Sequence, residues 1–468
     1  MSPVAVGSRH DTASVAADLE RARARTLGLV DALSEQDQRA QVSPLMSPSV
    51  WDLAHIGNYE ELWLLRAIDG RPPIDAELDD LYNAFEHPRW ERPSLPVLGP
   101  AEARSYLRTV RDQVLDLLGR LDELDPDPAT ARLLHDHFVY GMVIQHEHQH
   151  DETLLATHQL RGAAATPPPA LDPARTPTTR SGVEAPGPAG RAEPDPTRQV
   201  PTPGPDAMVG VDGGAFVMGT SDEAWAYDNE RAAHPVEVAP FRIDVAAVTN
   251  RDYLAFVDDG GYHQAGLWTP TGWAWCQDQH LEHPQFWSRS APGSWSVLRF
   301  GQTLDLADHL DEPVQHVGWY EADAFARWAG KRLPTEAEWE KAAVGAGSAA
   351  ASRWPWGHDE PTPERANLGQ RHDGPRPAAA STAGASRSGC LAMVGDVWEW
   401  TSSNFEPYPG FQAWPYREYS EVFWGDEYKV LRGGSWATDP VAVRGSFRNW
   451  DYPIRRQIFA GFRCARDA

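Results

Sequence analysis

The chain reads as an α+β multidomain protein, with a helical bundle in its first third and a compact, irregular α+β domain in the remainder. Three observations predict this. Apolar residues recur at helical spacing near residues 13–33, 50–68, 101–124 and 129–161, which suggests four packed helices. Between Pro167 and Pro205, prolines crowd among Ala, Thr and Arg, and no aromatic residue occurs from Tyr140 to Phe216. Beyond residue 206 lie 17 of the 20 tryptophans, amid frequent Gly and Pro and few long helical periods. At 468 residues the chain is long for one core. The expected boundaries are 11–162 for a four-helix bundle, 163–205 for a Pro/Ala-rich linker or disordered insert, and 206–468 for the second domain. The insert cannot bury enough apolar surface to order itself.

Each element has a local reason. The second helical segment opens at Ser47-Pro48-Ser49, a helix start with proline near the first turn, and carries the seam Trp51-His55-Asn58-Leu62. In the fourth, Phe138, Met142, His146, His150 and Leu154 recur every four residues, a stripe that aims a histidine pair into the bundle core. Past the linker, the clear helix formers are Tyr320 to Ala329 and Thr335 to Ala342. The second of these opens on Thr335 with Glu338 three residues on, a capping box.

The histidines carry the chemistry. His146 and His150 are one turn apart on one helix face, the reach two imidazoles need to hold one ion, and His55 on an earlier helix supplies a third candidate ligand. Hydrogen-bonded core or surface histidines are the alternative, since His135, His137, His148 and His158 lie nearby, and spacing alone leaves both open. His146-Glu147-x-x-His150 also spells a zinc-protease signature with a glutamate base. The further Gly and His of its extended form are missing, so the match reads as accidental. Glu152 stands about 200° around the helix from His150, a poor place for a ligand.

A formal net charge of −25 argues against a nucleic-acid partner, because phosphate binding needs a basic face. No run of 18 apolar residues exists and the N-terminus lacks a hydrophobic signal core, so no membrane association is expected and the cytoplasm is the expected location. A monomer is expected because no coiled-coil heptad stands out. Cys276, Cys390 and Cys464 are too few and scattered for a disulfide framework, so a metal site must be built on histidine.

Four strings in the second half allow recognition: Gly213-Gly214-Ala215-Phe216-Val217-Met218-Gly219, Arg332-Leu333-Pro334-Thr335-Glu336-Ala337-Glu338-Trp339-Glu340, Gly395-Asp396-Val397-Trp398-Glu399-Trp400 and Leu431-Arg432-Gly433-Gly434-Ser435-Trp436. They resemble the formylglycine-generating-enzyme domain, a C-type-lectin-like α+β fold. The resemblance implies a cysteine pair after Arg-Gly-Gly-Ser, yet residues 436–443 contain none, which argues against sulfatase activation. A DinB-like bundle carrying His-x-x-x-His-x-Glu, joined to such a domain, resembles the sulfoxide synthases of ergothioneine biosynthesis, the hercynine oxygenases. Both halves and their order match, over nearly the whole chain outside the proline-rich insert and the ends.

That resemblance implies a non-heme Fe(II) enzyme using O2 to join a thiol to C2 of the imidazole of hercynine and to oxidise the sulfur to a sulfoxide. It implies His55, His146 and His150 as iron ligands; three histidines alone would serve zinc equally. It places Tyr416 and Tyr419 at the iron, the former as proton donor in oxygen activation, a role that suits a phenol neutral at pH 7. It assigns Arg89, Arg92, Asp451 and Arg455 to γ-glutamylcysteine, whose two carboxylates suit guanidinium forks. Gln149, Asn449 and Trp450 fall on the hercynine side, with Trp450 suited to a cation–π contact with the trimethylammonium. Cysteine as donor, or an ovothiol-type 5-histidylcysteine sulfoxide synthase, remains the alternative. A non-catalytic lectin-like binding protein would have no use for three histidines aimed into a core.

Overall fold

The computed structural model describes residues 10–162, 207–291, 293–345 and 352–468; the expected insert of residues 163–205 lies outside them. These residues form two compact units, one of residues 10–162 with Asp222–Tyr227, the other of residues 207–221 with Asp228–Ala468.

Four long helices build the first unit: α1 (Thr12–Asp31), α2 (Ser49–Glu60), α3 (Pro100–Leu118) and α4 (Phe138–Arg161). Asp11 caps α1 by accepting from the Ser14 amide at 2.8 Å, and Glu102 reaches back to the Gly99 amide at 2.7 Å to start α3. Pro48 sits at the N-cap of α2, one residue earlier than a first-turn proline, and offers no side-chain cap. After Glu60 the helix continues as a π-helical turn, Glu61–Arg66. Its i→i+5 pairing shifts the register, so the expected seam residue Leu62 is 39% exposed while Leu64 and Leu65 are buried. The expected helix 129–161 breaks at Asp136 and His137, whose left-handed backbones (φ 50° and 55°) separate a short helix, Pro128–Leu134, from α4.

Each of the four helices also contributes one buried charge. Arg23 of α1 donates to Glu60 of α2 at 2.6 Å and to Glu147 of α4 at 2.8 Å. Arg111 of α3 donates to the same two carboxylates at 2.5 and 3.0 Å. The remaining guanidinium donors reach the Leu107 and Leu19 carbonyls, and Thr26 adds a hydroxyl to Glu147 at 2.9 Å. Burial alone would raise the Glu147 carboxyl, but the two arginines hold it down at about 2.

The segment Asp222–Tyr227 belongs with the helices, a departure from a second domain running unbroken from residue 206. Trp225 explains it. Its ring lies so close to Gly141 that a Cβ there would meet ring carbons at 2.2 Å, its indole donates to the Asp136 carbonyl at 3.1 Å, and it stacks on His10 at 3.7 Å.

In the second unit, strands β1 (Met208–Val211), β2 (Gly214–Met218), β3 (His234–Val238) and β4 (Phe241–Asp244) are followed by helices α5 (Asn250–Asp258) and α6 (Pro270–Asp278). Then come β5 (Trp287–Ala291), β6 (Ser294–Arg299), β7 (Gln302–Asp305), α7 (Trp319–Trp328) and α8 (Glu336–Glu340). The last strands are β8 (Trp398–Phe405), β9 (Gly425–Arg432), β10 (Asn449–Asp451), β11 (Ala460–Gly461) and β12 (Ala465–Asp467). They pair as four small sheets, β1-β4-β12, β10-β9-β8-β11, β2-β3 and β5-β6-β7. Thr335 caps α8 with Glu338 in the expected capping box.

The recognisable strings prove to be one another's partners. Arg432 of the Arg-Gly-Gly-Ser string donates to Glu336 at 2.7 Å and to Glu340 at 2.6 Å, both in the Thr-Glu-Ala-Glu-Trp-Glu string. Glu399 accepts from Arg463 at 2.6 Å and from the Trp339 indole at 2.7 Å. Gly433 (φ 91°) leaves no room for a side chain, since a Cβ would meet the Met393 carbonyl at 2.5 Å.

Candidate metal centre

Helices α2 and α4 bring His55, His146 and His150 together. One ligand nitrogen from each can be chosen so that all lie within 4.8 Å of one another, and the ring centroids are 4.6 to 5.2 Å apart. Two of the three come from one turn of α4 and the third from the facing turn of α2, as helical periodicity requires. Burial pushes the His55 and His146 imidazoles well below their usual range, with the nearby His150 ring adding to the shift. Both are therefore neutral at pH 7, the form that binds metal.

Helix α2 does more than supply His55. The His55 Nδ1 lies 2.9 Å from the Tyr82 carbonyl, which can only accept, so Nδ1 carries the proton and Nε2 keeps a free lone pair. The His55 ring stacks on Trp51 at 4.8 Å, and the Arg92 guanidinium lies over the Trp51 ring at 3.5 Å. Tyr59 stacks on His146 at 3.8 Å with planes 13° apart. The buried Asp52 places Oδ1 3.3 Å from Nδ1 of His150. Trp51, Asp52, His55 and Tyr59 fall on one face of α2, so a single helix lines all three imidazoles. Reading ligands by type missed Asp52 and Tyr59; their helical spacing from His55 was the available signal.

The other histidines have structural work. His148 Nδ1 meets Asp151 at 3.0 Å and His158 Nε2 meets the Leu29 carbonyl at 2.9 Å. Glu147 faces away into the charge ring, so it is not a base beside the metal site, and the protease spelling is accidental. Three neutral imidazoles without a carboxylate fit a divalent iron or zinc ion and leave coordination positions for substrates.

The remaining expected residues fall into two groups. In the first unit, Arg92 is buried and donates to Ser47 Oγ at 2.7 Å and to the His87 and Ala84 carbonyls, so its guanidinium builds the wall behind Trp51. Burial lowers it to about 10, leaving it charged at neutral pH. Arg89 and Gln149 are partly exposed, the latter between the two α4 ligands. In the second unit, Tyr416 and Tyr419 meet edge to face at 6.2 Å, and Tyr419 meets Trp450 edge-on at 5.8 Å. Trp450 stacks on Phe405 at 4.0 Å, so one ring face is already covered. Asn449 accepts from the Trp450 amide at 2.9 Å, and Asp451 accepts from Arg455 Nε at 2.9 Å.

Comparison with known proteins agrees with both halves. The DinB superfamily matches residues 18–154, and the sulfatase-modifying factor enzyme 1-like domain matches residues 193–468. The chain is 47% identical to the hercynine oxygenase of Mycolicibacterium thermoresistibile, across 100% of this chain and 97% of that one. It is 48% identical to the hercynine oxygenase of Mycobacterium tuberculosis, across 97% and 98%. The chain belongs to the hercynine oxygenase family. It is therefore an oxygenase acting on small molecules, and among the described residues no helix is long and apolar enough to cross a membrane. A formylglycine-generating enzyme from Streptomyces coelicolor is 34% identical over 61% of this chain and 96% of its own length. All three cysteines are buried as free thiols, and burial pushes those of Cys276 and Cys390 up to about 11.

Proposed function

We propose that the protein is an Fe(II)- and O2-dependent sulfoxide synthase of ergothioneine biosynthesis, which joins the sulfur of γ-glutamylcysteine to C2 of the hercynine imidazole. The observation that carries the proposal is the His55, His146 and His150 cluster, with His55 bonded to the Tyr82 carbonyl, His146 stacked on Tyr59 and Asp52 beside His150, in a chain of this family. The reaction balances. The thiol loses its S–H hydrogen and hercynine its C2–H, a C–S bond forms, one oxygen atom enters the sulfoxide and the other leaves as water. His55, His146 and His150 would hold the iron, which would supply binding for O2 and the thiolate. The chain's other residues would orient the substrates and supply protons. Tyr416 would hold the proton the reaction consumes, and Tyr419 packs against its ring. Asp451 and Arg455, already ion-paired, present a carboxylate and a guanidinium side by side, matching the α-ammonium and α-carboxylate of an amino acid. Arg89 takes the donor's second carboxylate, with Arg92 shaping the wall beside His55. Gln149, Asn449 and Trp450 receive hercynine. The site works in a monomer in the cytoplasm.

The test is anaerobic loading with Fe(II), then O2 exposure with hercynine and either γ-glutamylcysteine or cysteine, with products read by mass spectrometry. γ-Glutamyl-hercynylcysteine S-oxide is expected. An adduct with cysteine alone would overturn the donor assignment, and no adduct with either thiol would overturn the acceptor. In the same assay Tyr416→Phe is expected to keep iron and substrate binding while losing sulfoxide and diverting the thiol to its sulfinic acid. An unchanged product yield removes Tyr416 from the reaction.

A further inference from the structure

The loop between β8 and β9 carries Tyr416 and Tyr419 without any ladder pairing of its own; its regular structure is two single turns, Arg417–Tyr419 and Glu421–Phe423. Something must nevertheless hold two phenols in register for chemistry that tolerates little misplacement. Within the same unit, the buried turn Asp228–Glu230 meets that loop at both ends of the tyrosine pair. Two residues before Tyr416, the Trp414 amide donates to Asp228 Oδ2 at 3.2 Å. One residue after Tyr419, the Ser420 hydroxyl donates to Asp228 Oδ1 at 2.5 Å. The direction of that second bond is forced. Ser420 Oγ already accepts from Asn229 Nδ2 at 3.1 Å, so its single proton is left for the carboxylate. Ser420 and Asn229 are fully buried and Asp228 is 3% exposed, so water does not compete for these bonds.

The turn is itself anchored. Glu230 is ion-paired to Arg444 and accepts from Ser446 Oγ at 2.8 Å, while the Asn229 carbonyl accepts from Arg448 Nη1 at 3.0 Å. A carboxylate is the right group for the junction, because both facing groups are donors and an ionised aspartate offers only acceptors. Burial raises Asp228 to about 6, which still leaves it mostly ionised at neutral pH.

We propose that Asp228 is a positioning residue for the oxygenase reaction: its two carboxylate oxygens clasp the Trp414–Ser420 segment and thereby set where the Tyr416 phenol stands. The catalytic half of this proposal rests on the reading of Tyr416 as proton donor. Asp228 touches neither substrate nor metal in this scheme and acts through the loop.

The test uses the full chain loaded with Fe(II), comparing wild type with Asp228→Ala, Asp228→Asn, Ser420→Ala and Tyr416→Phe. Two readouts are taken on each protein: amide hydrogen exchange across residues 412–424, and steady-state kinetics with the ratio of sulfoxide to sulfinic acid. Asp228→Ala is expected to speed exchange in 412–424 while the rest of the chain keeps its protection, and to lower kcat for sulfoxide by about 10- to 100-fold. The KM for both substrates should stay within about twofold, because ground-state binding does not use the loop's exact position. Asp228→Asn keeps one acceptor and should fall between Asp228→Ala and wild type. Ser420→Ala removes one arm, should do the same in milder form, and serves where Asp228→Ala fails to fold. Unchanged exchange in 412–424 overturns the clasp. Faster exchange with an unchanged product ratio, while Tyr416→Phe alters that ratio, overturns the positioning role. If Tyr416→Phe itself leaves the products unchanged, the proton-donor reading fails and takes the catalytic role of Asp228 with it, and the exchange data alone decide the clasp.

Discussion

A carboxylate from a different helix stands beside His150, so the surroundings of the three-histidine cluster extend beyond its own nitrogens. Asp52 faces His150 Nδ1 at 3.3 Å. A carboxylate that closes a hydrogen bond to a metal-binding imidazole holds that ring in place. Asp52→Asn is therefore expected to weaken Fe(II) or Zn(II) affinity by about 10- to 100-fold, read by metal competition against a chromogenic chelator. His148→Ala should leave metal affinity unchanged and cost about 1–3 kcal/mol of unfolding free energy through its lost bond to Asp151. Equal affinity losses in the two variants would show that any histidine-adjacent change disturbs the site. The histidine cluster was legible in part in the sequence, because helical periodicity puts His146 and His150 on one stripe, while His55 had to be added from a separate helix. The clasp at Asp228 was not, since its Ser420 partner lies 192 residues away and nothing local announces it.

Helix packing supplies the next layer, because the three clustered histidines sit on α2 and α4 while the charge ring ties those two helices to α1 and α3. Glu147 lies between His146 and His150 in sequence yet points to the ring. Glu147→Gln should lower the unfolding free energy by about 3–5 kcal/mol, measured in urea, because Arg23 and Arg111 would share one remaining carboxylate in a buried site. A catalytic glutamate would instead lose activity at unchanged stability. The four helices themselves were readable from apolar spacing. What spacing could not give was the exposure of Leu62, which follows from a π-helical turn, or the break at Asp136 and His137, which follows from two left-handed residues. The strings that made the second domain recognisable were legible for a different reason. Arg432 with Glu336 and Glu340, and Arg463 with Glu399, are buried pairs whose loss would leave an uncompensated charge, so those strings record the fold and not the chemistry.

Over the whole molecule, charge buried in neutral form sets the response to acid. His316 is buried with Nδ1 3.2 Å from the Arg456 carbonyl, and burial, with Arg299 and Arg456 nearby, lowers its imidazole from 6.5 to about 3. In the unfolded chain the same group takes a proton near pH 6.5. Between those values the unfolded state holds a proton the folded state does not, so stability drops as pH falls, by up to about 1.4 kcal/mol per pH unit for this residue. His316→Asn, which tolerates the backbone φ of 65°, should flatten the decline of the thermal midpoint between pH 6.5 and 4. An identical pH slope would mean that other groups dominate. The charge ring has a further consequence for how the protein meets its metal. Because α1 to α4 are locked by carboxylate–guanidinium bonds that need no ion, stripping the metal with a chelator should leave helical circular dichroism and the unfolding midpoint within a few degrees of the loaded protein, unlike small domains that unfold on demetallation. Reloading would then be a local event at three imidazoles, fast, reversible and independent of refolding, so the folded protein would outlast periods of metal scarcity.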